Sequence, residues 1–188
     1  MGHVTSMRGG DVDSTPLGTI LRLRMAESHI DPKELRRVMG CFASGVTIIT
    51  TRDAGGTPYG LTANAFTSLS LDPPLCLIWV DRRAESFCHF DTSKVFNVNI
   101  LSSEQEAVSN RFAKSGGDKF TGVVTTTAAN GAPLLTGAIA TIECMISDTF
   151  PGGDHVVHLG RVERFTMHAG EPLLYYQGKY RGLAGAPV

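Results

Sequence analysis

Two segments of similar length, GAIATIECMISDTF (Gly137–Phe150) and HVVHLGRVERFTM (His155–Met167), flank the tetrapeptide PGGD (Pro151–Asp154). Apolar and β-branched residues dominate both, with turn formers between them, so they predict two long antiparallel strands joined by a tight turn. A chain that commits this much length to one hairpin is expected to build on antiparallel sheet.

Other segments agree. VTIITT (Val46–Thr51) is β-branched throughout and reads as a buried strand, followed by the turn DAGG (Asp53–Gly56) and a hairpin into GLTANAFTSLSLDPPL (Gly60–Leu75). Leu75–Val80 is apolar. VFNVNIL (Val95–Leu101) alternates Val95, Asn97 and Asn99 with Phe96, Val98 and Ile100, the period of a strand. LLYYQGKY (Leu173–Tyr180) reads as a last strand.

Helix signals are fewer. DPKE places a capping Asp31, Pro32 at the first helical position and Glu34 three residues after the cap, with Leu35, Val38, Met39 and Phe42 on one face and Gly45 as the stop. Ala84–Phe90 reads as a short helix, and Ser102 with Gln105 opens another that runs to about Ala113. The total is about seven or eight strands and two or three helices, without strand–helix alternation, which predicts a mainly β fold, an antiparallel barrel. Residues 1–30 lack periodicity and read as an N-terminal tail, flexible or packed on a partner subunit, and 31–188 as the domain.

Composition removes several classes of function. The 188 residues carry 17 Lys+Arg against 18 Asp+Glu with no basic run, so the electrostatic footprint of a nucleic-acid or membrane-surface binder is missing. No apolar run approaches the roughly 20 residues of a membrane helix. Cys41, Cys76, Cys88 and Cys144 stand far apart without a CxxC pair, and three of them lie in apolar surroundings. That usage predicts buried, reduced thiols in a cytoplasmic protein and no metal site. Neither GxGxxG nor GxxxxGK[ST] occurs, so a nucleotide would bind without a Rossmann or P-loop cradle.

Three places carry candidate chemistry. In GLTANAFTSLSLDPPL, alternation puts Leu61, Ala63 and Ala65 on one face and Thr62, Asn64 and Phe66 on the other, with Ser68 and Ser70 in a hydroxyl-rich loop that follows. Such a face either lines a cleft for a polyhydroxyl or phosphate ligand or is simply solvated. Arg111 beside Phe112 offers a planar cation next to an aromatic, or only a charge at a helix C-terminus. Ser86 at a predicted helix start is a candidate phosphate contact or an ordinary helix residue. In GGDHVVHLG, Asp154 precedes His155 directly after a turn, so a carboxylate can orient the ring. His158, three residues on, falls on the opposite strand face, which disfavours a shared metal.

Taken in order, LRRVMGCFASGVTIITT, GLTANAFTSLSLDPPL, FNVNILSSEQEAVSNRFA, DKF, GAPLL and GGDHVVHLGRVE resemble the short-chain flavin reductases, the reductase components of two-component flavin-dependent monooxygenases. The resemblance covers about Asp31 to Tyr180. It implies a homodimeric split β-barrel of Greek-key type that binds FMN or FAD, takes hydride from NADH or NADPH, and hands reduced flavin to a partner oxygenase. It further implies that Gly60, Leu61, Thr62, Asn64 and Ala65 run along the isoalloxazine and ribityl chain, with Thr62 and Asn64 as the contacting side chains. Val80, Asp81, Glu85 and Ser86 match positions near the ribityl and phosphate. Arg111 and Phe112 match a pair that meets the flavin, and His155 with Asp154 matches the motif beside the nicotinamide. Ala65 departs from the Ser of many relatives, which leaves a backbone N–H in place of a hydroxyl. On this resemblance, His155 holds the nicotinamide and is the catalytic candidate, and Arg111 with backbone amides stabilises the reduced flavin. A flavin carrier or sensor on the same barrel, without reductase activity, is the alternative.

Overall fold

Strand alternation in Val95–Ile100 organises the interior. In the computed structural model, which describes residues 30–183, Phe96 and Val98 point into one apolar cluster while Asn97 and Asn99 face the other way, and all four are fully buried. The elements run α1 (Pro32–Met39), β1 (Ser44–Gly45), β2 (Thr47–Arg52), β3 (Pro58–Ala63), β4 (Phe66–Leu71), β5 (Pro74–Asp81), α2 (Phe87–Ser93), β6 (Val95–Ile100), a 3₁₀ turn (Ser103–Gln105), α3 (Glu106–Phe112), β7 (Thr125–Thr127), β8 (Pro133–Leu135), β9 (Ala140–Gly152), β10 (His155–Met167), β11 (Leu174–Tyr176) and β12 (Lys179–Arg181). Seven strands form one sheet in the order β3-β2-β6-β9-β10-β5-β4, and every pairing is antiparallel.

The two edge strands of that sheet, β3 and β4, are consecutive in the chain, separated only by Asn64 and Ala65. The sheet therefore curls until its edges meet at that corner, giving a mainly β split barrel. The expected hairpin of β9 and β10 is its longest component, and its turn is Gly153–Asp154, with Gly153 at φ +68°.

Two apolar clusters stabilise the barrel. Inside it, Ile49, Ile78, Val80, Phe90, Phe96, Val98, Cys76 and Cys144 pack together. Gly160 on β10 is required there, because a Cβ at that position would fall 2.3 Å from Phe96 Cζ. Outside it, Val46, Ile48, Leu101, Phe112, Leu135 and Leu173 close the sheet against α3 and the β7–β8 hairpin. Polar residues anchor that hairpin. Thr50 Oγ1 donates to the Pro133 carbonyl (2.6 Å), Asn97 Nδ2 to the Ala132 carbonyl (3.1 Å), and Asn99 Oδ1 accepts the Leu135 N–H (2.8 Å). Buried amides with filled hydrogen bonds fix the register of what lies on them, since an orphaned one costs about 1–3 kcal/mol.

The structure corrects several expectations. Gly60–Leu75 is not a strand followed by a loop: β3 ends at the Asn64–Ala65 corner, the expected loop around Ser68 and Ser70 is strand β4 on the opposite edge of the sheet, and Phe66 packs against the barrel core instead of sharing a face with Thr62. Leu173–Tyr180 is a hairpin rather than a strand, turning at Gln177 and Gly178, both at positive φ. α2 starts at Phe87, three residues late, because Arg82–Ser86 turns away from β5 first. α1 is capped by Asp31, whose side chain accepts the Lys33 N–H (2.9 Å), but it ends at Met39 rather than Gly45 and buries none of its residues; Leu35, Val38, Met39 and Phe42 are exposed. β7 and β8 have no counterpart in the expected elements. Only Cys76 and Cys144 are buried, with sulfurs 3.5 Å apart, while Cys41 and Cys88 are exposed. The Cys76 sulfur alongside it, together with burial, pushes the Cys144 thiol up, which keeps it protonated. Of the expected tail over residues 1–30, all but Ile30 lies outside the described residues. No helix among the described residues is long and apolar enough to cross a membrane.

Candidate functional site

Pairing of β5 with β10 sets Asp81 opposite His155 and Val80 opposite Val156. The Gly153–Asp154 turn then brings the Asp154 carboxylate back on the histidine, with Oδ1 2.7 Å from Nδ1, and the Arg82 N–H donates to the Asp154 carbonyl (3.0 Å). The hydrogen bond to His155 holds the Asp154 carboxyl below the usual carboxylate range. Arg83 forks onto Asp81 through Nη2 (2.8 Å) and Nε (3.1 Å), which holds that carboxyl well below the usual range too. His155 is thus flanked by two ionised carboxylates, and an Nδ1–H given to Asp154 leaves Nε2 turned to other partners. Its side chain is 37% exposed.

The barrel corner arrives at the same end. The Ala65 carbonyl receives the Trp79 N–H (3.4 Å), so exposed Asn64 and half-buried Ala65 lie beside the last residues of β5. Thr62, two residues earlier, spends its hydroxyl proton on the Ser109 carbonyl (2.6 Å), docking α3 against β3.

A cleft of about 570 Å³ opens beyond the turn that follows β5. Thr57–Gly60 of β3 and its approach, Glu85, Ser86, and the loop Gly117–Thr121 line it. Each wall has a local cause. Gly60 leaves room for Phe112, whose ring carbon Cε1 would lie 2.9 Å from a Cβ there; Phe112 in turn packs edge-on against Phe120 with centroids 4.9 Å apart. Asp118 folds its own loop by accepting the N–H groups of Phe120 (2.9 Å) and Thr121 (3.1 Å) and the Thr121 hydroxyl, contacts that lower its pKa. Glu85 Oε1 accepts the Gly116 N–H (2.7 Å), and Arg111 donates to the Thr121 carbonyl from behind. Lys119 Nζ sits 3.4 Å from the carbonyls of both Gly60 and Phe112.

The fold therefore gathers the sequence candidates into two adjoining groups. Asn64, Ala65, Asp81, Asp154 and His155 meet at the end of β5 and β10, and Gly60, Glu85 and Ser86 line the cleft, with the turn from Asp81 to Ser86 between them. Five candidates stand differently from expectation: Thr62, whose hydroxyl is given to the Ser109 carbonyl, Arg111, held on the Thr121 carbonyl instead of facing a ligand directly, and Ser68, Val80 and Phe112. Ser68 pairs with Cys76, four residues from Val80 and so about 13 Å away along the strand, outside both groups. The Val80 side chain is 1% exposed and belongs to the barrel core, which leaves only its backbone for a ligand. Phe112 is equally buried, so its ring supports Gly60 from beneath instead of forming an exposed aromatic beside Arg111. Leu61 packs against the barrel core, on the face that strand alternation gives it with Ala63.

Lys119, Asp118, Thr121 and Tyr59 belong to the cleft and went unpredicted. The DKF motif contains two of them, but its residue types alone do not say that the loop folds over β3. No group of three His, Cys, Asp or Glu side chains among the described residues is placed to hold a metal. His158, on the inner face of β10, is fully buried against Phe90, with ring centroids 5.5 Å apart.

The site suits a phosphorylated aromatic cofactor on its own chemistry. The cleft volume lies within the roughly 300–1,000 Å³ of small-molecule sites, and the Lys119 ammonium with the Ser86 hydroxyl and the loop amides that Asp118 leaves over is a donor set for a phosphate ester.

Comparison with known proteins points the same way. The flavin reductase-like domain matches residues 39–184. The reductase subunit of a flavin-dependent monooxygenase from Rhodococcus jostii (strain RHA1) is 41% identical over 160 residues, 85% of this chain and 82% of that protein. An NADH-dependent flavin reductase from a Rhodococcus species is 40% identical over 159 residues, 84% and 89% of the two chains. Among solved structures, the NADH:FAD oxidoreductase of Streptomyces globisporus C-1027 in complex with NAD and FAD fragments superposes with a TM-score of 0.78 at 40% identity, covering 82% of this chain and 96% of that one. With the split barrel, the cleft and the sequence match in agreement, the chain belongs to the flavin reductase-like domain family.

Proposed function

We propose that the chain is an NAD(P)H:flavin oxidoreductase that passes hydride from NADH or NADPH to FMN or FAD and supplies the reduced flavin to a partner oxygenase. The observation that carries this reading is the His155–Asp154 pair, set by β5–β10 pairing beside the Asn64–Ala65 corner and next to a phosphate-suited cleft. Bound flavin supplies the two-electron acceptor, and the chemistry of transfer belongs to the two cofactors.

The protein's part is positioning. Asp154 fixes the His155 ring, leaving Nε2 to hold the nicotinamide carboxamide. Asn64 and the backbone N–H of Ala65 meet the polar edge of the flavin, and Ser86, Lys119 and the backbone amides of Gly117–Lys119 hold its phosphate. Arg111 acts through the loop, by gripping the Thr121 carbonyl. Ion-paired Asp81 places a second negative charge beside His155, across the β5–β10 pairing.

Three further statements belong to this reading. The chain works as a homodimer, because α1 exposes Leu35, Val38 and Met39, and a helix of eight residues needs such a face covered to persist. It is cytoplasmic, where NAD(P)H is available and the buried thiols stay reduced. Residues 31–188 form one domain, preceded by a tail over 1–30.

The test is anaerobic mixing of the protein with each flavin and each nicotinamide, following loss of the flavin's visible absorbance. Bleaching with at least one pair is expected. Flavin binding without bleaching by either donor would instead leave a carrier or sensor.

A further inference from the structure

One aromatic pair beside the cleft takes no part in holding phosphate or nicotinamide. The Tyr59 ring, which lines the cleft, stacks on the His89 ring of α2 with centroids 3.6 Å apart and planes 21° from parallel. Both side chains are half-buried, so neither is sealed into the core. β3 pairs with β2 on one side only, so its other edge has no strand partner where Pro58, Tyr59 and Gly60 line the cleft; Pro58 offers only a carbonyl there, and the Gly60 carbonyl meets Lys119 Nζ (3.4 Å). A stacked aromatic platform next to an open strand edge is what a purine base needs: a π-face to lie on and backbone groups for its hydrogen-bonding edge.

Position selects which part of a ligand lies there. Tyr59 stands five residues from Asn64, about 16 Å along extended chain, and shares its cleft with the phosphate donors Ser86 and Lys119. His89 lies three residues, just under one helical turn, past Ser86 in α2, on the side away from Asp81. A ring held at Asn64 and His155 with its phosphate at Lys119 leaves Tyr59 for whatever follows the phosphate.

On the flavin reductase reading, on which this rests, we propose that the Tyr59–His89 stack is an adenine platform that favours a dinucleotide over the corresponding mononucleotide. The adenine comes either from FAD or from NAD(P)H, and the two sources separate kinetically.

Steady-state kinetics of the full chain would compare FAD with FMN at saturating NADH, and NADH with reduced nicotinamide mononucleotide at saturating FMN. Wild type, Tyr59→Ala, Tyr59→Phe and His89→Ala are the proteins to assay. A lower KM for FAD than for FMN, erased by a roughly tenfold rise in Tyr59→Ala and kept in Tyr59→Phe at unchanged kcat, assigns the platform to the flavin's adenine. The same pattern between NADH and its mononucleotide assigns it to the nicotinamide's. An equal rise for FAD and FMN would overturn the proposal, because the isoalloxazine would then occupy the stack. So would unchanged KM values for every substrate, which would make the pair plain packing. Should Tyr59→Ala not fold, His89→Ala carries the same comparison. If wild type reduces no flavin, the reductase reading fails separately, and equilibrium dialysis with ADP still decides the platform: binding lost in Tyr59→Ala keeps it, and no binding by wild type removes it.

Discussion

His158 and His155 lie three residues apart on β10, yet the first is sealed against Phe90 with neither ring nitrogen bonded among the described residues, while the second is 37% exposed with Nδ1 2.7 Å from Asp154. The contrast extends to the regions around them. Inside the barrel and under the β7–β8 hairpin, polar groups such as Thr50, Asn97 and Asn99 are committed to backbone carbonyls and amides. At the open end of β5 and β10, Asp81, Arg83, Asp154 and His155 pair with one another at the surface and keep capacity for a ligand. One strand thus serves both purposes because its two faces meet different surroundings. Substitutions inside should cost stability, and substitutions at the end should cost turnover.

The largest effect should come from Gly160→Ala. The new Cβ meets Phe96 Cζ at 2.3 Å and Cys144 Cβ at 3.2 Å, so overpacking should remove about 3 kcal/mol in denaturant unfolding. A loss below about 0.5 kcal/mol would mean that the interior yields easily, and the contrast would weaken.

Asn99→Ala comes next. It orphans the buried Leu135 N–H and leaves the Ile48 carbonyl without its side-chain donor, at a cost of about 2 kcal/mol, read as a shift of the denaturation midpoint. Turnover per folded molecule should hold. A variant of full stability would show that β7–β8 is not anchored as described.

The smallest effect concerns pH. Burial pulls His158 below its ordinary value near 6.5, with Asp91 acting weakly upward and Lys94 weakly downward. The unfolded chain therefore takes up a proton at this residue near pH 6.5, while the native protein does so only at lower pH, so stability should fall as pH drops below about 6.5. His158→Phe should flatten that part of the curve of melting temperature against pH. An identical slope in both proteins would place the acid sensitivity elsewhere.

Much of this division was legible in the chain. Period two in VFNVNIL showed which residues of β6 would share a face, and Asp154 next to His155 announced its pair by adjacency. Long-range closure was harder to read. The Asn64–Ala65 corner contains neither Gly nor Pro, and a single Asn within strand-like alternation is too weak a mark of the break that sends β3 and β4 to opposite edges. The turn at Gln177 uses a non-glycine residue at φ 49°, outside the usual turn vocabulary. Asn130–Gly131, with Gly131 at φ +83°, did carry a hairpin signal for β7–β8, in an Asn-Gly pair that a reading for longer strands passes over. Tyr59 and His89, thirty residues apart, meet only because α2 folds back over β2 and β3, and no local pattern encodes that.

The most direct test of the whole account is the rate at which NADH reduces flavin anaerobically in His155→Ala, measured beside its flavin affinity and its melting temperature. Reduction should slow about tenfold or more, equivalent to about 1.4 kcal/mol, with affinity and melting temperature close to those of wild type. A variant that reduces flavin at the wild-type rate, or one that loses stability in place of rate, would contradict it.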